Sequence, residues 1–138
     1  MAHSNVSRGI AEAATAAVAA KPVRAVHTFD VPASVGAPFS SIGLHELETG
    51  EELMAARRSG GDAMGLAYEL VKASIAEVTD VGASAAREVS LADASTDTVF
   101  RAAGPKLRQL LLQAYSSLHT PGDDATADFL KSHRTTVG

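Results

Sequence analysis

Residues 104–118 show the clearest hydrophobic pattern in the chain. Their apolar positions follow i, i+3, i+4, i+7 and i+11 spacing, which predicts one apolar face of an α-helix: Leu107, Leu110, Leu111, Ala114 and Leu118. Gly104 is predicted as the N-cap and Pro105 as the first helical residue, because proline has no N–H to lose there and its φ already suits a helix. The Pro121–Gly122 pair is predicted to break the helix.

Two further helices are predicted upstream, separated by a break at residues 59–61. Thr49 and Glu52 have the spacing of a capping box and open the first helix. Asp62 is predicted to cap the second helix, which runs to about Thr79. The second helix presents an apolar stripe: Met64, Ala67, Val71, Ile75 and Val78.

Shorter helices are predicted on both sides of the main helix. One begins at Ser95 or Thr96 and leads into the main helix. The other begins near Asp123 and Asp124, whose negative charges interact favourably with the positive end of a helix dipole. Residues 80–95 have no regular period and are predicted to form a linker loop with one or two turns of structure.

A period of two in residues 22–31 predicts a β-strand. Its alternating positions are Val23, Ala25, His27, Phe29 and Val31. Turn-forming residues follow at 32–38, and residues 39–47 form a second extended run. We expect these two runs to pair as a β-hairpin that packs on the helices, because an isolated hairpin is only marginally stable.

Residues 1–21 are rich in alanine and predict an N-terminal arm that is helical or frayed. Two alternatives stay open for this segment. The first is a signal peptide with Arg8 in its basic region, although Glu12 inside the apolar region opposes it. The second is an arm that docks on another subunit.

These elements predict a mainly α (α+β) fold. We expect a small helical domain with a short N-terminal β-hairpin at 22–132, between the alanine-rich arm at 1–21 and a flexible tail at 133–138. The length of 138 residues suits one domain. Alanine supplies much of the 46% apolar fraction and buries little area, so we expect a thin core that benefits from a partner or from self-association.

Charge and composition exclude several classes of partner. The net charge of −4 argues against nucleic acid as the main partner, because phosphate binding needs a concentrated basic face. The absence of cysteine excludes disulfides and cysteine-based zinc sites. No apolar run approaches the roughly 18 residues of a membrane-spanning helix, so we expect no membrane partner.

Residues that carry chemistry are dispersed along the chain. The five histidines lack the i, i+3 or i, i+4 spacing of a helical metal pair: His3, His27, His45, His119 and His133. Paired carboxylates at 51–52 and 123–124 are explained by helix capping. Nucleophile-elbow and phosphate-loop motifs are lacking. We therefore expect a protein that is not an enzyme and that holds no metal or cofactor.

Several local phrases follow one another between Val26 and Ser132. They occupy residues 29–32, 44–53, 100–110, 114–121 and 129–132. In this order they resemble small proteins from the tail module of long-tailed bacteriophages. The resemblance is to tail assembly chaperones of contractile-tail phages and related prophages in particular.

This resemblance implies a non-enzymatic protein of virion assembly that works in the host cytoplasm. Such chaperones bind the tape measure protein and help tube subunits polymerise around it. The implied partners are therefore tape measure, tube or baseplate subunits. The alternative is a structural component of the mature virion, such as a baseplate, neck or tail-completion subunit. A small DNA-binding regulator is disfavoured by the negative charge.

If the resemblance holds, an apolar groove on the main helix would cover an aggregation-prone helix of the partner. The candidate binding residues are Leu110, Leu111, Ala114 and Tyr115, with Lys106 and Arg108 at the rim. The two cations lie at the helix end where the dipole disfavours positive charge. Either they contact an acidic partner or they are solvated side chains.

Overall fold

Four antiparallel strands build a sheet with the order β1-β2-β3-β4. The strands are β1 (His27–Asp30), β2 (Phe39–Leu44), β3 (Ile75–Asp80) and β4 (Arg87–Glu88). The structure is a computed structural model and describes residues 24–89 and 94–136. The predictions for the alanine-rich arm at 1–21 lie outside the described residues.

Helices form the second part of the structure. They are α1 (Thr49–Ser59), α2 (Ala63–Ser74), α3 (Ala94–Ala102), α4 (Gly104–His119) and α5 (Asp123–Lys131). A 3-10 turn at Ala33–Val35 lies between β1 and β2. The combination of helices with a small sheet confirms the predicted mainly helical α+β class.

The predicted N-terminal hairpin is present as β1 and β2. Phe29 lies opposite Ile42, and Asp30 lies opposite Ser41. Both strands are shorter than the predicted runs, which extended over residues 22–31 and 39–47. The second run ends at Leu44 because the chain then turns towards α1.

The last part of the predicted second helix is a strand. Helix α2 ends at Ser74, and Ile75 has extended backbone angles of φ −71° and ψ 118°. Strand β3 pairs with β2, and Ile75 lies opposite Leu44. The prediction of a helix to Thr79 was wrong. It arose because the spacing of Ile75 and Val78 also fits one face of a helix. The β-branched residues of this run also favour a strand, and pairing with β2 decides between the two.

Strand β4 lies inside the segment predicted as a linker loop. Arg87 pairs with Val78 and Glu88 with Glu77 across the β3–β4 ladder. The Arg87 guanidinium also donates to Asp80 over 3.1 Å. The loop prediction for 80–95 was wrong here because a two-residue strand is too short to produce a recognisable period.

The capping box of α1 lies one residue earlier than predicted. Glu48 is the N-cap, and its backbone N–H donates to the Glu51 carboxylate over 2.9 Å. The predicted pair of Thr49 and Glu52 was therefore wrong in register. The glutamate-rich start offers two carboxylates at the required spacing, and the box uses Glu48 in place of a hydroxyl.

The starts of α2 and α4 agree more closely with the sequence prediction. The Asp62 carboxylate accepts from the backbone N–H of Gly65 over 2.7 Å, which confirms it as the cap of α2. Helix α4 begins at Gly104 with Ala103 as its N-cap, one residue earlier than predicted. Gly104 has a φ of 75°, a left-handed conformation that lets α4 follow α3 directly.

The core lies between the sheet and helices α2, α3 and α4. Its buried members are Phe39, Ile42, Leu44, Val71, Ile75, Val78, Val89, Val99, Phe100, Ala103, Leu107 and Leu111. Tyr68 packs edge-on against Phe100, with ring centroids 5.1 Å apart. Leu107 and Leu111 come from the predicted apolar face of α4, which therefore packs on the sheet as expected.

Candidate protein-binding groove

An open apolar groove lies between the hairpin and helix α4. Its volume is about 420 Å³. The residues that line it are Phe29, Asp30, Val31, Pro32, Ile42, Leu107, Leu110, Leu111, Gln113, Ala114 and Ser117. The sheet supplies the floor of the groove and α4 supplies one wall.

The floor of the groove is formed by a cross-strand pair. Phe29 and Ile42 are directly opposite in the β1–β2 ladder, so their side chains lie on the same face of the sheet. Ile42 is 1% exposed, whereas Phe29 on the edge strand is 37% exposed. Among residues 24–89 and 94–136, the sheet face is therefore covered over β2 and open over β1.

The wall of the groove is a second face of α4, beside the face that enters the core. Leu110, Gln113, Ala114 and Ser117 follow i, i+3, i+4 and i+7 spacing and share this face. Leu110 is 39% exposed. Polar side chains of Gln113 and Ser117 border the apolar patch, which is the arrangement typical of binding grooves.

Of the described residues that line the groove, one is charged. Asp30 lies at the end of β1, next to Val31 and Pro32. The remaining lining residues are apolar or neutral. A ligand that suits this groove is therefore apolar over most of its contact surface, with positive charge tolerated at the Asp30 end.

Part of the predicted binding site lies in this groove. Leu110, Leu111 and Ala114 line it, although Leu111 is also a core residue and is 3% exposed. The sequence prediction missed the contribution of the hairpin, above all Phe29 and Val31. The period of two identified their strand, but a single sequence does not show which helix packs beside which strand.

The predicted rim residues Lys106 and Arg108 lie away from the groove lining. The Arg108 guanidinium lies 5.8 Å from the centroid of the Phe100 ring, within the roughly 6 Å range of a cation–π interaction. Arg108 is therefore half-buried against α3, and Lys106 is exposed near the start of α4. The structure brings neither cation to the groove.

Tyr115 of the predicted site belongs to a separate cluster at the end of α4. Its ring stacks on the His119 ring with centroids 4.0 Å apart. His119 Nε2 accepts from the backbone N–H of Leu47 over 2.9 Å, so Nδ1 donates to the Tyr115 carbonyl over 2.9 Å. Burial raises the pKa of the Tyr115 hydroxyl, and the charge of Glu52 adds to this. This cluster fixes the end of α4 to the segment before α1.

An ion-pair network joins α2 to α3. Lys72 Nζ lies 2.7 Å from Glu69 and 3.2 Å from Asp97, and Asp97 also pairs with Arg101 over 2.8 Å. Burial lowers the pKa of the Lys72 ammonium, but hydrogen bonds and charge from Glu69 and Asp97 outweigh this, and the net pKa is raised. This network is satisfied within the chain.

His45 is a buried polar residue with one ring nitrogen that the described residues leave unpaired. It is 3% exposed, and its Nδ1 lies 2.9 Å from the Glu46 carbonyl. Its Nε2 has no hydrogen-bond partner among the described residues. An unpaired buried acceptor costs about 1–3 kcal/mol, so His45 lowers the stability of the domain unless something outside the described residues pairs with it.

A second cavity of about 250 Å³ lies between β4 and α3. Its lining is more polar: Arg87, Glu88, Val89, Ser95, Thr98 and Val99. Within residues 24–89 and 94–136, no three histidine or acidic side chains are grouped to hold a metal ion. None of the helices in the same residues has the length and apolarity of a membrane span.

No match is found for the chain among protein-family models, curated proteins or solved structures. The geometry of the groove is therefore the main basis for a functional proposal.

Proposed function

We propose that this chain is a non-enzymatic assembly protein that binds an apolar α-helix of a partner in the groove between β1 and α4. The observation that carries this proposal is the uncovered sheet face beside α4, where Phe29 and Leu110 stay partly exposed. Sheets in layered folds bury their apolar face under helices. The open strip over β1 offers a further helix the same kind of contact.

The affinity must come mainly from the partner side chains. Phe29 and Leu110 are already more than half buried, so covering the rest of each contributes roughly 1 kcal/mol. A partner helix with apolar residues at i, i+3, i+4 and i+7 inserts side chains that were fully exposed before binding. Such a helix is aggregation-prone when free, and an assembly protein prevents aggregation by covering its apolar face.

The biological setting we propose is tail assembly in a long-tailed bacteriophage. In this setting the chain is a tail assembly chaperone that covers an apolar helix of the tape measure protein until tube subunits polymerise. Its other partners are tube or baseplate subunits, and it acts in the host cytoplasm. The resemblance of residues 26–132 supports this setting, and an open apolar groove suits the task.

A second candidate is a structural subunit of the mature virion. The observation that favours it is α5, which is exposed along its whole length and has the form of a linking element. Mass spectrometry of purified particles separates the two candidates. A fixed copy number relative to the tube protein would establish a structural subunit, whereas presence in the lysate and absence from particles supports the chaperone.

The groove itself is tested by site-specific photo-crosslinking in phage-producing cells. A photo-reactive residue at Gln113 lies in the groove, and the matched control at Arg58 lies on the exposed side of α1. We expect a tail protein to crosslink at Gln113, and we expect Leu110→Asp to abolish the adduct. Equal adducts at both positions, or none at Gln113, would overturn the proposal.

A further inference from the structure

Helix α5 exposes an apolar surface that the described part of its own chain leaves uncovered. All nine of its residues are exposed, including Phe129 at 75% and Leu130 at 64%. Ala125 and Phe129 are four residues apart and share one face of the helix. An isolated helix of fewer than about 12 residues is marginal in water. We therefore expect α5 to need an apolar contact in order to stay helical.

The linker before α5 is extended at two residues. Thr120 has φ −103° and ψ 125°, and Gly122 has φ −66° and ψ 164°, so both are extended. Pro121 favours the extended form of Thr120, because its ring disfavours a helical residue before it. The linker therefore separates α5 from α4, and because all nine residues of α5 are exposed, its apolar face is available to another molecule.

We propose that the groove between β1 and α4 of one copy receives helix α5 of a second copy. Phe129 enters the groove against Phe29 and Leu110, and Leu130 covers the adjoining part. Helix α5 carries Asp123 and Asp124 in its first turn, Asp128 before Phe129 and a single cation, Lys131, in its last turn. The charge of Lys131 complements that of Asp30 in the groove when this end of the helix lies nearest to Asp30. This pairing orients the C-terminal end of α5 towards Asp30.

Reciprocal exchange of α5 gives a homodimer with a two-fold axis, in which each copy supplies one groove and one helix. The inference rests on the proposed function because it concerns the same groove. It states that α5 of a second copy occupies this groove before the partner binds. A partner helix then binds by displacing α5. The dimer shields both apolar surfaces of each copy until the partner arrives.

Sedimentation equilibrium of the full chain tests the dimer. We expect a dimer for the wild type, and we expect Phe129→Asp and Leu110→Asp each to raise its dissociation constant by more than about 100-fold. Ser116→Asp is the matched control, because Ser116 is exposed on α4 outside the groove, and it should leave the dimer unchanged. A wild-type monomer at about 100 μM would overturn the inference.

Mixing the two monomeric variants tests the exchange itself. The Phe129→Asp variant retains an intact groove, and the Leu110→Asp variant retains an intact α5. Their mixture should form a heterodimer through one remaining contact, although neither associates alone. A peptide of residues 121–134 should also bind the Phe129→Asp variant and not the Leu110→Asp variant. Failure of both would overturn the exchange.

A crosslink from Gln113 identifies the occupant directly. In the purified wild-type dimer it should reach residues 123–131 of the other copy, and a crosslink to residues 1–21 instead would overturn α5 as the occupant. The same reagent separates this inference from the proposed function. The Phe129→Asp monomer should still crosslink to the tail partner in cells, whether or not the dimer exists. A dimer that never yields a partner adduct would sink the proposed function alone.

Discussion

At the scale of single residues, Gly43 shows how closely the sheet is packed. A Cβ atom at Gly43 would lie 2.6 Å from Glu77 Cγ and 2.6 Å from Val26 Cγ1. These neighbours come from β3 and from the segment before β1. A side chain at Gly43 therefore has to displace neighbouring side chains on both sides of β2.

We expect Gly43→Ala to destabilise the domain by about 1–3 kcal/mol, because overpacking forces its neighbours to move. Gly50→Ala is the matched control. Gly50 lies in α1 with nothing within 4 Å of an added Cβ, so this change should stabilise by about 0.5–1 kcal/mol through helix propensity. Urea unfolding of both variants checks the pair. Equal effects of the two substitutions would show that contact at Gly43 is unimportant.

Tyr115 and Lys72 together predict a loss of stability at alkaline pH. The pKa of each group is raised in the folded protein, so each binds its proton more tightly there than in the unfolded chain. This contribution is complete below the unfolded pKa values of about 10 to 10.5 and is lost as pH rises through the folded values. Unfolding free energy should therefore fall above about pH 10.

Tyr115→Phe should make that alkaline fall shallower, because the substituted ring has no proton to lose. The slope between pH 7 and 9 serves as the internal control and should be the same in both proteins. Urea titrations at stepped pH values measure both slopes. An unchanged alkaline slope in Tyr115→Phe would assign the effect to other groups.

At the scale of elements, helix α4 has two faces with different tasks. One face enters the core through Leu107 and Leu111, and the other borders the groove through Leu110 and Ala114. The sequence pattern identified all of these positions as one broad apolar face. It did not separate the residues that stabilise the fold from those that are available for binding.

Adjacent leucines of α4 should therefore respond differently to substitution. We expect Leu111→Ala to cost about 2–5 kcal/mol, because it opens a cavity in the core. Leu110→Ala should cost less than about 1 kcal/mol in a monomeric background, since that side chain is 39% exposed. Thermal unfolding in the Phe129→Asp background measures both without the dimer contribution. Comparable losses would show that Leu110 is a core residue.

Elements with a regular apolar period were predictable from the sequence, and the short strands β3 and β4, which have no such period of their own, were not. The i, i+3, i+4 pattern gave α4, and the alternation before Val31 gave the hairpin. Strand β3 was assigned to a helix because its six residues, four of them apolar or β-branched, fit both structures. Its identity depends on pairing with β2, which is a long-range interaction that local pattern does not encode.

At the scale of the whole molecule, the candidate site was only half predictable. The α4 wall of the groove was visible as a stripe of leucines, while the floor comes from a strand about eighty residues earlier in the chain. A single sequence contains no information about that contact. The exposure of α5 was equally hidden, because Phe129 and Leu130 look like ordinary core residues of an amphipathic helix.

Hydrogen exchange across the whole chain should separate α5 from the rest of the molecule. In the Phe129→Asp monomer we expect the amides of α5 to exchange rapidly, because none of the residues that the structure describes buries this helix, while those of β2, β3 and α4 stay protected. In the wild-type dimer the amides of α5 should become protected. Slow exchange of α5 in the monomer would show that it is stable without any partner.

The outer edge of strand β1 affects which kind of partner segment could bind beside it. It is an edge strand of four residues, flanked by Pro32 and carrying Asp30 and His27 at its ends. Short length, charge and a nearby proline are the features that discourage a further strand from pairing along an open edge. The protein can therefore keep apolar surface exposed beside the outer edge of β1 without templating β-aggregates. On the proposed function, the groove therefore favours a helical partner over an extended segment.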